Sequence, residues 1–228
     1  MRRTSGVGLA ILIAIAIAIP AEALDARCET NPDHPKCQVE DPPPSPVPPE
    51  GDFHDWISVI GCSNTRNAAV GYSEVSFQDL LVNTARAGET MTVWATSPSV
   101  WDEQYLPMRP VDGYDGAWIN LCERAVSGLS QLNVEAVIAK VWEIDPDIPI
   151  WISPLNFYDT EDCEVTNGNQ IPSEGVAIAD SLAAEHTNVF RGPDLGPLTA
   201  DMLRRDACHQ NEEGITFNGT QLVAFFDQ

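Results

Sequence analysis

Two short stretches near opposite ends of the folded part of the chain carry residues suited to nucleophilic chemistry. Near the C-terminus, Asp206 precedes His209 by three residues. At this spacing an acid can orient an imidazole, and the imidazole can take a proton from a third group. Far upstream, an apolar run ends in Gly61, Cys62 and Ser63, so that a tight turn presents a hydroxyl. The pattern predicts Ser63 as nucleophile, His209 as its base and Asp206 as the group that fixes the histidine tautomer.

An alternative is that Asp206 and His209 belong to a polar loop that caps the last helix. The upstream serine turn favours the catalytic interpretation, because a base needs a nucleophile. An attacking serine also needs donors for the oxyanion that develops on its substrate. The backbone N–H of Ser63 is one candidate donor. Gly88 is the other, since glycine lets a substrate approach the backbone closely.

Strands and helices alternate along the chain and place these residues in loops. Strands are predicted at 56–60, 90–95, 115–122, 148–152 and 188–190, and helices at 77–87, 126–144, 174–186 and 214–226. This alternation favours a mostly parallel five-stranded sheet covered on both faces by helices. Sites in such sheets form beyond the carboxyl ends of the strands, which is where Ser63 and His209 fall.

The N-terminal fifth of the chain differs in composition from the rest. Residues 1–23 have a basic start, a short apolar run and a small-residue cleavage site, which is typical of a secretory signal peptide. An uncleaved N-terminal anchor is the alternative. Residues 24–51 are rich in proline and favour a semi-rigid extended stalk, or a docking site for a proline-binding partner. We therefore expect residues 52–228 to form the folded domain of a secreted or periplasmic protein with no membrane span after signal removal.

The charge balance excludes some partners. The formal net charge is −22, so the phosphate backbone of a nucleic acid would be repelled. Asp159, Glu161, Asp162 and Glu164 crowd one loop, which we interpret as a solvated acidic loop in preference to a calcium site. No motif indicates a cofactor or a metal, and none indicates an oligomeric state. The six cysteines are an even number, as expected in an oxidising compartment, and sequence alone leaves their pairing open.

The serine turn and the Asp206–His209 loop together resemble the SGNH (GDSL-like) hydrolase family over residues 52–228. The resemblance implies a flavodoxin-like α/β/α fold with Ser63 as nucleophile, Gly88 as an oxyanion glycine, and Asp206 and His209 completing a triad. Two positions depart from the family pattern. The first block reads Gly61-Cys62-Ser63 where Gly-Asp-Ser is usual, and the Asn of the third block is missing after the strand that ends near Cys122. Asn64 or Asn120 are possible substitutes as oxyanion donors.

The resemblance implies an exported serine esterase that hydrolyses an O-acyl, possibly O-acetyl, ester through an acyl-enzyme. Its substrate is expected to be a small-molecule, carbohydrate or lipid ester. Two alternatives stay open: a catalytically weak binding module, suggested by the missing Asn, and an acyltransferase with the same triad. Trp94, Trp101 and Tyr105 follow the Gly88 segment and either line a substrate cleft or pack in the core.

The implied strand order, 2-1-3-4-5, also predicts a disulfide pairing. The first and third strands are neighbours in this order, so Cys62 and Cys122 at their ends are expected to bond. Cys163 follows the fourth strand and Cys208 lies in the loop after the fifth, which predicts a second bond. Cys28 and Cys37 are expected to pair locally. The alternative for Cys62 and Cys122 is two buried free thiols.

Overall fold

The computed structural model describes residues 56–124, 127–159, 163 and 173–227. Its strands are β1 Ile57–Ile60, β2 Leu81–Asn83, β3 Gly116–Leu121, β4 Ile150–Pro154 and β5 Val189–Arg191. Its α-helices are α1 Ser63–Val75, α2 Met91–Thr96, α3 Pro98–Val100, α4 Leu106–Met108, α5 Gln131–Ile144, α6 Ser173–Glu185 and α7 Glu212–Phe226. A π-helical turn, Trp101–Tyr105, joins α3 to α4, and a 3₁₀ turn, Ala200–Met202, precedes α7.

The five strands form one parallel sheet in the order β2-β1-β3-β4-β5. Ile57 of β1 lies opposite Leu81 of β2 on one side and Gly116 of β3 on the other. The strands therefore end at a common edge, and the order reverses at β1, where a crevice forms in folds of this kind. The predicted fold class, a flavodoxin-like α/β/α sheet with five strands, is confirmed.

Helices cover both faces of the sheet, and the three central strands, β1, β3 and β4, are buried along their whole length. On one face, Val59, Trp118 and Trp151 pack against α1 and α7 through residues such as Tyr72 and Leu222. On the other face, Ile60, Ile119 and Ile152 pack against α2, α5 and α6 through a second group of buried residues, among them Trp94, Val137 and Leu182. Burial of these large side chains gives the sheet its stability.

Helices α1 and α7 approach each other closely at two glycines. A Cβ atom on Gly71 would overlap the carbonyl of Ile215, and one on Gly219 would overlap the backbone of Gly71. Only glycine fits at this crossing. Since α1 begins at Ser63 and α7 begins three residues after His209, the crossing fixes the distance between the two loops that hold these residues.

The predicted helix at 77–87 is wrong. This stretch contains a turn and then β2, which pairs with β1. The side chain of Ser76 accepts hydrogen bonds from the N–H groups of Gln78 and Asp79, and Asp79 has a φ of 54°, which ends any helix. Phe77, the first residue of this stretch, is fully exposed. The apolar spacing that suggested a helix thus spans a turn and a three-residue strand.

The predicted strand at 90–95 is also wrong, since α2 occupies Met91–Thr96. The β-branched residues favoured a strand, but the two buried residues are Met91 and Trp94, which are three residues apart, a helical spacing.

Helix α1 was missed, because small residues such as Ala68 and Gly71 give its packed face little hydrophobic signal. Helix α5 begins at Gln131, later than predicted, after Gly128 turns the chain with a φ of 68°.

Within the described part of the chain, no helix combines the length and the apolar character needed to cross a membrane.

Candidate active site

The serine turn joins β1 directly to α1. Strand β1 ends at Ile60, and Ser63 is the first residue of the helix. A Cβ atom at Gly61 would overlap the side chain of Thr65, so the turn requires glycine there. The hydroxyl of Thr65 accepts a hydrogen bond from the Cys62 N–H at 3.1 Å. As a residue of the first helical turn, Ser63 has no intrahelical acceptor for its own N–H, which stays available to a ligand.

Asp206 and His209 face each other across one tight loop. Oδ2 of Asp206 lies 2.8 Å from Nδ1 of His209. Oδ1 accepts hydrogen bonds from the backbone N–H groups of Cys208 at 3.1 Å and His209 at 3.0 Å. Partial burial raises the pKa of Asp206, but the hydrogen bonds from His209 and Cys208 outweigh it and lower this pKa to about 2. Asp206 is therefore an ionised acceptor over the whole neutral range.

The fold brings this loop against the serine turn. Oγ of Ser63 lies 2.8 Å from Nε2 of His209, although 146 positions separate the two residues. With Asp206 holding Nδ1–H, the imidazole presents Nε2 as an acceptor for the serine hydroxyl. Ser63 is half-buried and the His209 side chain is 36% exposed, so a substrate can reach both. In this arrangement, the hydroxyl of Ser63 can pass its proton to the imidazole of His209 at neutral pH, with the carboxylate of Asp206 behind it.

Buried polar side chains hold the two loops together. The hydroxyl of Tyr158 donates to the Cys208 carbonyl at 2.8 Å and accepts from the Asn64 side chain at 2.9 Å. Gln210 makes a second link, because its amide donates to the Asn64 carbonyl at 3.3 Å and accepts from Asn67 at 2.9 Å. Tyr158, Asn64 and Gln210 are almost completely buried. Each link ties a neighbour of Ser63 to a neighbour of His209.

Gly88 lies on the loop between β2 and α2, and β2 is the neighbour of β1 in the sheet. It has a φ of 84°, is exposed, and has open space where a side chain would be. Three residues later, Met91 N–H donates to the Cys122 carbonyl at 2.9 Å. Cys122 is bonded to Cys62, the residue before Ser63. The glycine loop is thus tied, through the end of β3, to the serine turn.

Two buried acids anchor the same loop. Glu123 accepts from the N–H of Thr92 at 3.0 Å and from its hydroxyl at 2.7 Å, which fixes the start of α2. Glu89, directly after Gly88, accepts a hydrogen bond from the amide of Gln104 in the π-helical turn. Burial raises the pKa of Glu89, although Gln104 and Arg86 oppose this shift. Both contacts hold the C-terminal end of the Gly88 loop, where the chain enters α2.

Neither Asn64 nor Asn120 is placed to serve as the missing oxyanion donor. The amide of Asn64 donates to Tyr158, as described above. Asn120 donates to the Pro154 carbonyl at 2.7 Å and accepts from Thr65 at 2.8 Å. Both residues are buried, with 1% and 0% of their surface exposed. Within the described residues, the backbone N–H groups of Ser63 and Gly88 remain the candidate donors.

Four of the six cysteines form the two disulfides expected between loops. Cys62 is bonded to Cys122 with a Cα–Cα distance of 5.8 Å, and Cys163 to Cys208 with a distance of 4.7 Å. The first bond joins the ends of β1 and β3 beside Ser63. The second fixes the residue next to His209. Cys28 and Cys37 lie outside the described residues.

Other candidates do not join the site. Trp94, Trp101 and Tyr105 are buried and belong to the core, where Trp101 packs against each of the other two with ring centroids 5.1 Å apart. Trp94 and Trp101 also border a surface cavity between α2 and α5, and neither Ser63 nor His209 lines that cavity. Of the acidic loop, only Asp159 lies among the described residues. Across those same residues, no group of three His, Cys, Asp or Glu side chains is arranged to hold a metal ion.

Sequence analysis missed Tyr158, Gln210 and Asn67. Their role depends on three separate loops meeting, and no local motif marks them. The sequence marks Gln210 only by its position directly after His209, and its burial is known from the structure alone.

No protein-family model and no curated protein matches the chain. Solved structures give a fold-level likeness. A carbohydrate esterase family 3 protein from Talaromyces cellulolyticus aligns with a TM-score of 0.49 and 13% identity, over 74% of this chain and 94% of that one. A lipase/acylhydrolase from Enterococcus faecalis aligns with a TM-score of 0.49 and 14% identity, over 75% and 94%. The chain is similar to esterases and acylhydrolases.

Proposed function

We propose that this protein is an exported serine esterase that hydrolyses an O-acyl ester through a Ser63–His209–Asp206 triad. The observation that carries the proposal is the row of two contacts, 2.8 Å from Ser63 Oγ to His209 Nε2 and 2.8 Å from His209 Nδ1 to Asp206 Oδ2. Such a row has the distances that proton transfer in acyl transfer requires. The resemblance to SGNH hydrolases supports the same activity.

In the first half of the reaction, Ser63 Oγ bonds to the acyl carbon while its proton passes to His209 Nε2. The N–H groups of Ser63 and Gly88 donate to the oxyanion of the tetrahedral intermediate. The ester C–O bond then breaks, and His209 returns the proton to the leaving alcohol. Asp206, ionised because its pKa is about 2, stabilises the imidazolium that forms between these two steps.

In the second half, water attacks the acyl-enzyme and His209 takes its proton. The second tetrahedral intermediate releases the carboxylic acid, and the proton returns to Ser63 Oγ. Asn64 and Asn120 donate elsewhere, so among the described residues the backbone N–H groups of Ser63 and Gly88 are the two donors that we propose. Loss of a single oxyanion donor costs about 2.7–4 kcal/mol in comparable sites, so we expect a modest turnover number.

Export is part of the proposal. The apolar N-terminal segment with its small-residue cleavage site predicts secretion, and the two disulfides beside the site are compatible with an oxidising compartment. Mass spectrometry of the protein recovered from the medium or periplasm of its source tests this, and a mature N-terminus close to residue 24 is expected.

The activity is tested by hydrolysis of p-nitrophenyl acetate. Ser63→Ala is expected to lower kcat/KM at least about 10³-fold, because the attacking oxygen is lost. Ser73→Ala is the control, since Ser73 lies on the same helix and its exposed hydroxyl contacts only the Val70 carbonyl. Equal rates for Ser63→Ala and wild type would remove Ser63 from the mechanism.

A fluorophosphonate probe separates the esterase from a catalytically weak binding module. The esterase is expected to carry the label on Ser63, and folded protein that stays unlabelled would favour binding. Adding an alcohol acceptor to the ester assay separates hydrolysis from acyl transfer, since a transferase would convert the acceptor into a new ester.

A further inference from the structure

The basic residues of this acidic protein divide into two groups. Eight lie in the described part of the chain, and three of them make ion pairs: Arg109 with Asp145, Lys140 with Glu143, and Arg191 with Asp180 and Asp194. The other five are exposed, and none has a carboxylate oxygen of a described residue within 4.0 Å. They are Arg66, Arg86, Arg124, Arg204 and Arg205.

These five unpaired arginines all lie on the segments that surround the candidate site. Arg66 is in the first turn of α1, three residues after Ser63. Arg86 and Arg124 each follow the end of a strand by three residues, after β2 and β3. Arg204 and Arg205 directly precede Asp206. Because the strands are parallel, these segments belong to one edge of the sheet, the edge that carries Ser63 and His209.

This placement is unexpected for a chain with a net charge of −22. With 34 acidic residues against 12 basic ones, an exposed arginine placed at random meets a carboxylate readily. Among the described residues, four of these five guanidinium groups also make no hydrogen bond and keep their donors for a ligand, whereas Nε of Arg204 donates to the Gln210 carbonyl at 2.8 Å. A guanidinium binds carboxylates and phosphates through two parallel hydrogen bonds, and grouped positive charges raise the local concentration of anions.

The arginines on the β2 and β3 loops are the most favourably placed. The bond from Met91 N–H to the Cys122 carbonyl holds these two loops together. Arg86 precedes the candidate oxyanion residue Gly88 by two positions, and Arg124 follows Cys122 by two. Near the other end of the site, Arg204 shares a surface cavity with Glu212 and Glu213, whose charges oppose its own. Glu89 and Glu123 lie close to Arg86 and Arg124 in the chain, but both acids are buried and accept hydrogen bonds from Gln104 and Thr92. The exposed guanidinium groups of Arg86 and Arg124 are therefore the ones that we expect to meet an anion.

We propose that the ester substrate carries a carboxylate or phosphate, and that Arg86 and Arg124 bind this anion beside the reacting acyl group. The inference rests on the proposed function and adds a substrate class to it. Neutral acetylated alcohols are then poorer substrates than acetylated alcohols that bear a negative charge. The chemistry at Ser63 is unchanged, since the arginines contact a part of the substrate that does not react.

The test compares esters that share an acetyl group and an aromatic alcohol. The probes are 4-acetoxybenzoate and 4-acetoxyphenyl phosphate, which are anionic, and 4-acetoxybenzamide, which is neutral. For each anionic probe, the readout is the ratio of its kcat/KM to that of the amide. The Arg86→Gln/Arg124→Gln double variant is expected to lower at least one ratio about fivefold or more. Raising NaCl from 0.05 to 0.5 M shortens the Debye length and so weakens the attraction between an exposed arginine and an anion. The wild-type ratio is therefore expected to fall as well.

Lys140→Gln is the matched control, because it removes one positive charge from α5 and leaves the loops intact. Its ratios are expected to equal those of the wild type. The ratio that falls identifies the anion, carboxylate or phosphate. Ratios that stay unchanged in the double variant, with all three esters still hydrolysed, would overturn the inference and leave the esterase proposal standing. Equal losses on all three esters would overturn it too. Hydrolysis of none by wild type would instead reject the esterase proposal.

Discussion

The hydroxyl of Tyr158 joins the two halves of the site, donating to the Cys208 carbonyl at 2.8 Å while it accepts from Asn64 at 2.9 Å. Asn64 follows Ser63, and Cys208 precedes His209. One buried group thus sets the separation of the two loops that the proposed proton transfer requires. Burial raises the pKa of this hydroxyl, so it remains a neutral donor under all ordinary conditions.

Tyr158→Phe is expected to lower kcat for p-nitrophenyl acetate by about 10- to 100-fold with little change in KM, since a small misplacement of Ser63 relative to His209 slows the chemical step. It also leaves two buried polar groups unpaired, which costs about 1–3 kcal/mol in the free energy of unfolding. Tyr72→Phe is the control, because Tyr72 donates to Asp227 at the other end of α1. Tyr158→Phe protein with the wild-type kcat would contradict this role of Tyr158 and would leave Gln210 as the residue that aligns the two loops.

The low pKa of Asp206 predicts a specific pH dependence. A carboxyl whose pKa is lowered to about 2 in the folded protein, from an ordinary value of 3.8, adds stability above about pH 4. That contribution is lost as the pH falls through about 2. The difference in free energy of unfolding between wild type and Asp206→Asn is therefore expected to be constant near neutrality and to shrink below pH 4, as measured by urea denaturation.

Asp206→Asn is also expected to lower kcat by about 10⁴-fold, as the histidine loses the acceptor that selects its tautomer. Asp180→Asn, which removes another exposed carboxylate, serves as control and should keep the wild-type kcat. Asp206→Asn protein with the wild-type kcat would show that Asp206 has no part in the mechanism.

The close crossing of α1 and α7 predicts that stability and activity are coupled far from the serine. Gly219→Ala places a methyl group against the backbone of Gly71 and is expected to cost about 1–3 kcal/mol. The displaced α7 carries the His209 loop with it, so kcat should fall as well. Thr220→Ala is the neighbouring control, since Thr220 is exposed and contacts only the Thr216 carbonyl. The test is to measure thermal unfolding and kcat on the same sample of each variant. Both are expected to fall in Gly219→Ala and to stay at the wild-type values in Thr220→Ala.

Each described disulfide is expected to stabilise the protein by about 2–4 kcal/mol, because each closes a loop of 45 or 60 residues in the unfolded chain. Paired serine variants, Cys163→Ser/Cys208→Ser and Cys62→Ser/Cys122→Ser, test the bonds separately by thermal unfolding. The first pair is expected to lower kcat more strongly, as Cys208 is next to the base. Native protein in which Cys208 reacts with an alkylating reagent would contradict the bond to Cys163.

The amino-acid sequence by itself determined the alternation of elements, and with it a parallel sheet. Buried strands such as β3 and β4 are short, mostly apolar runs, which are typical of a parallel sheet covered on both faces. It also determined the chemistry offered at two places, a hydroxyl after a strand and an acid three residues before a histidine. These are local features, set by neighbours along the chain.

Only the tertiary structure decided which short segments become strands and how the two loops meet. The segment 77–87 has helical spacing, yet Leu81–Asn83 is a strand because β1 offers it backbone partners. Residues 90–95 have strand-like composition, yet they form α2, since Met91 and Trp94 are buried against the sheet. The contacts of Tyr158, Gln210 and the Gly71–Gly219 crossing join residues far apart in the chain. Their energies depend on burial and distance in the folded state, which no local pattern encodes.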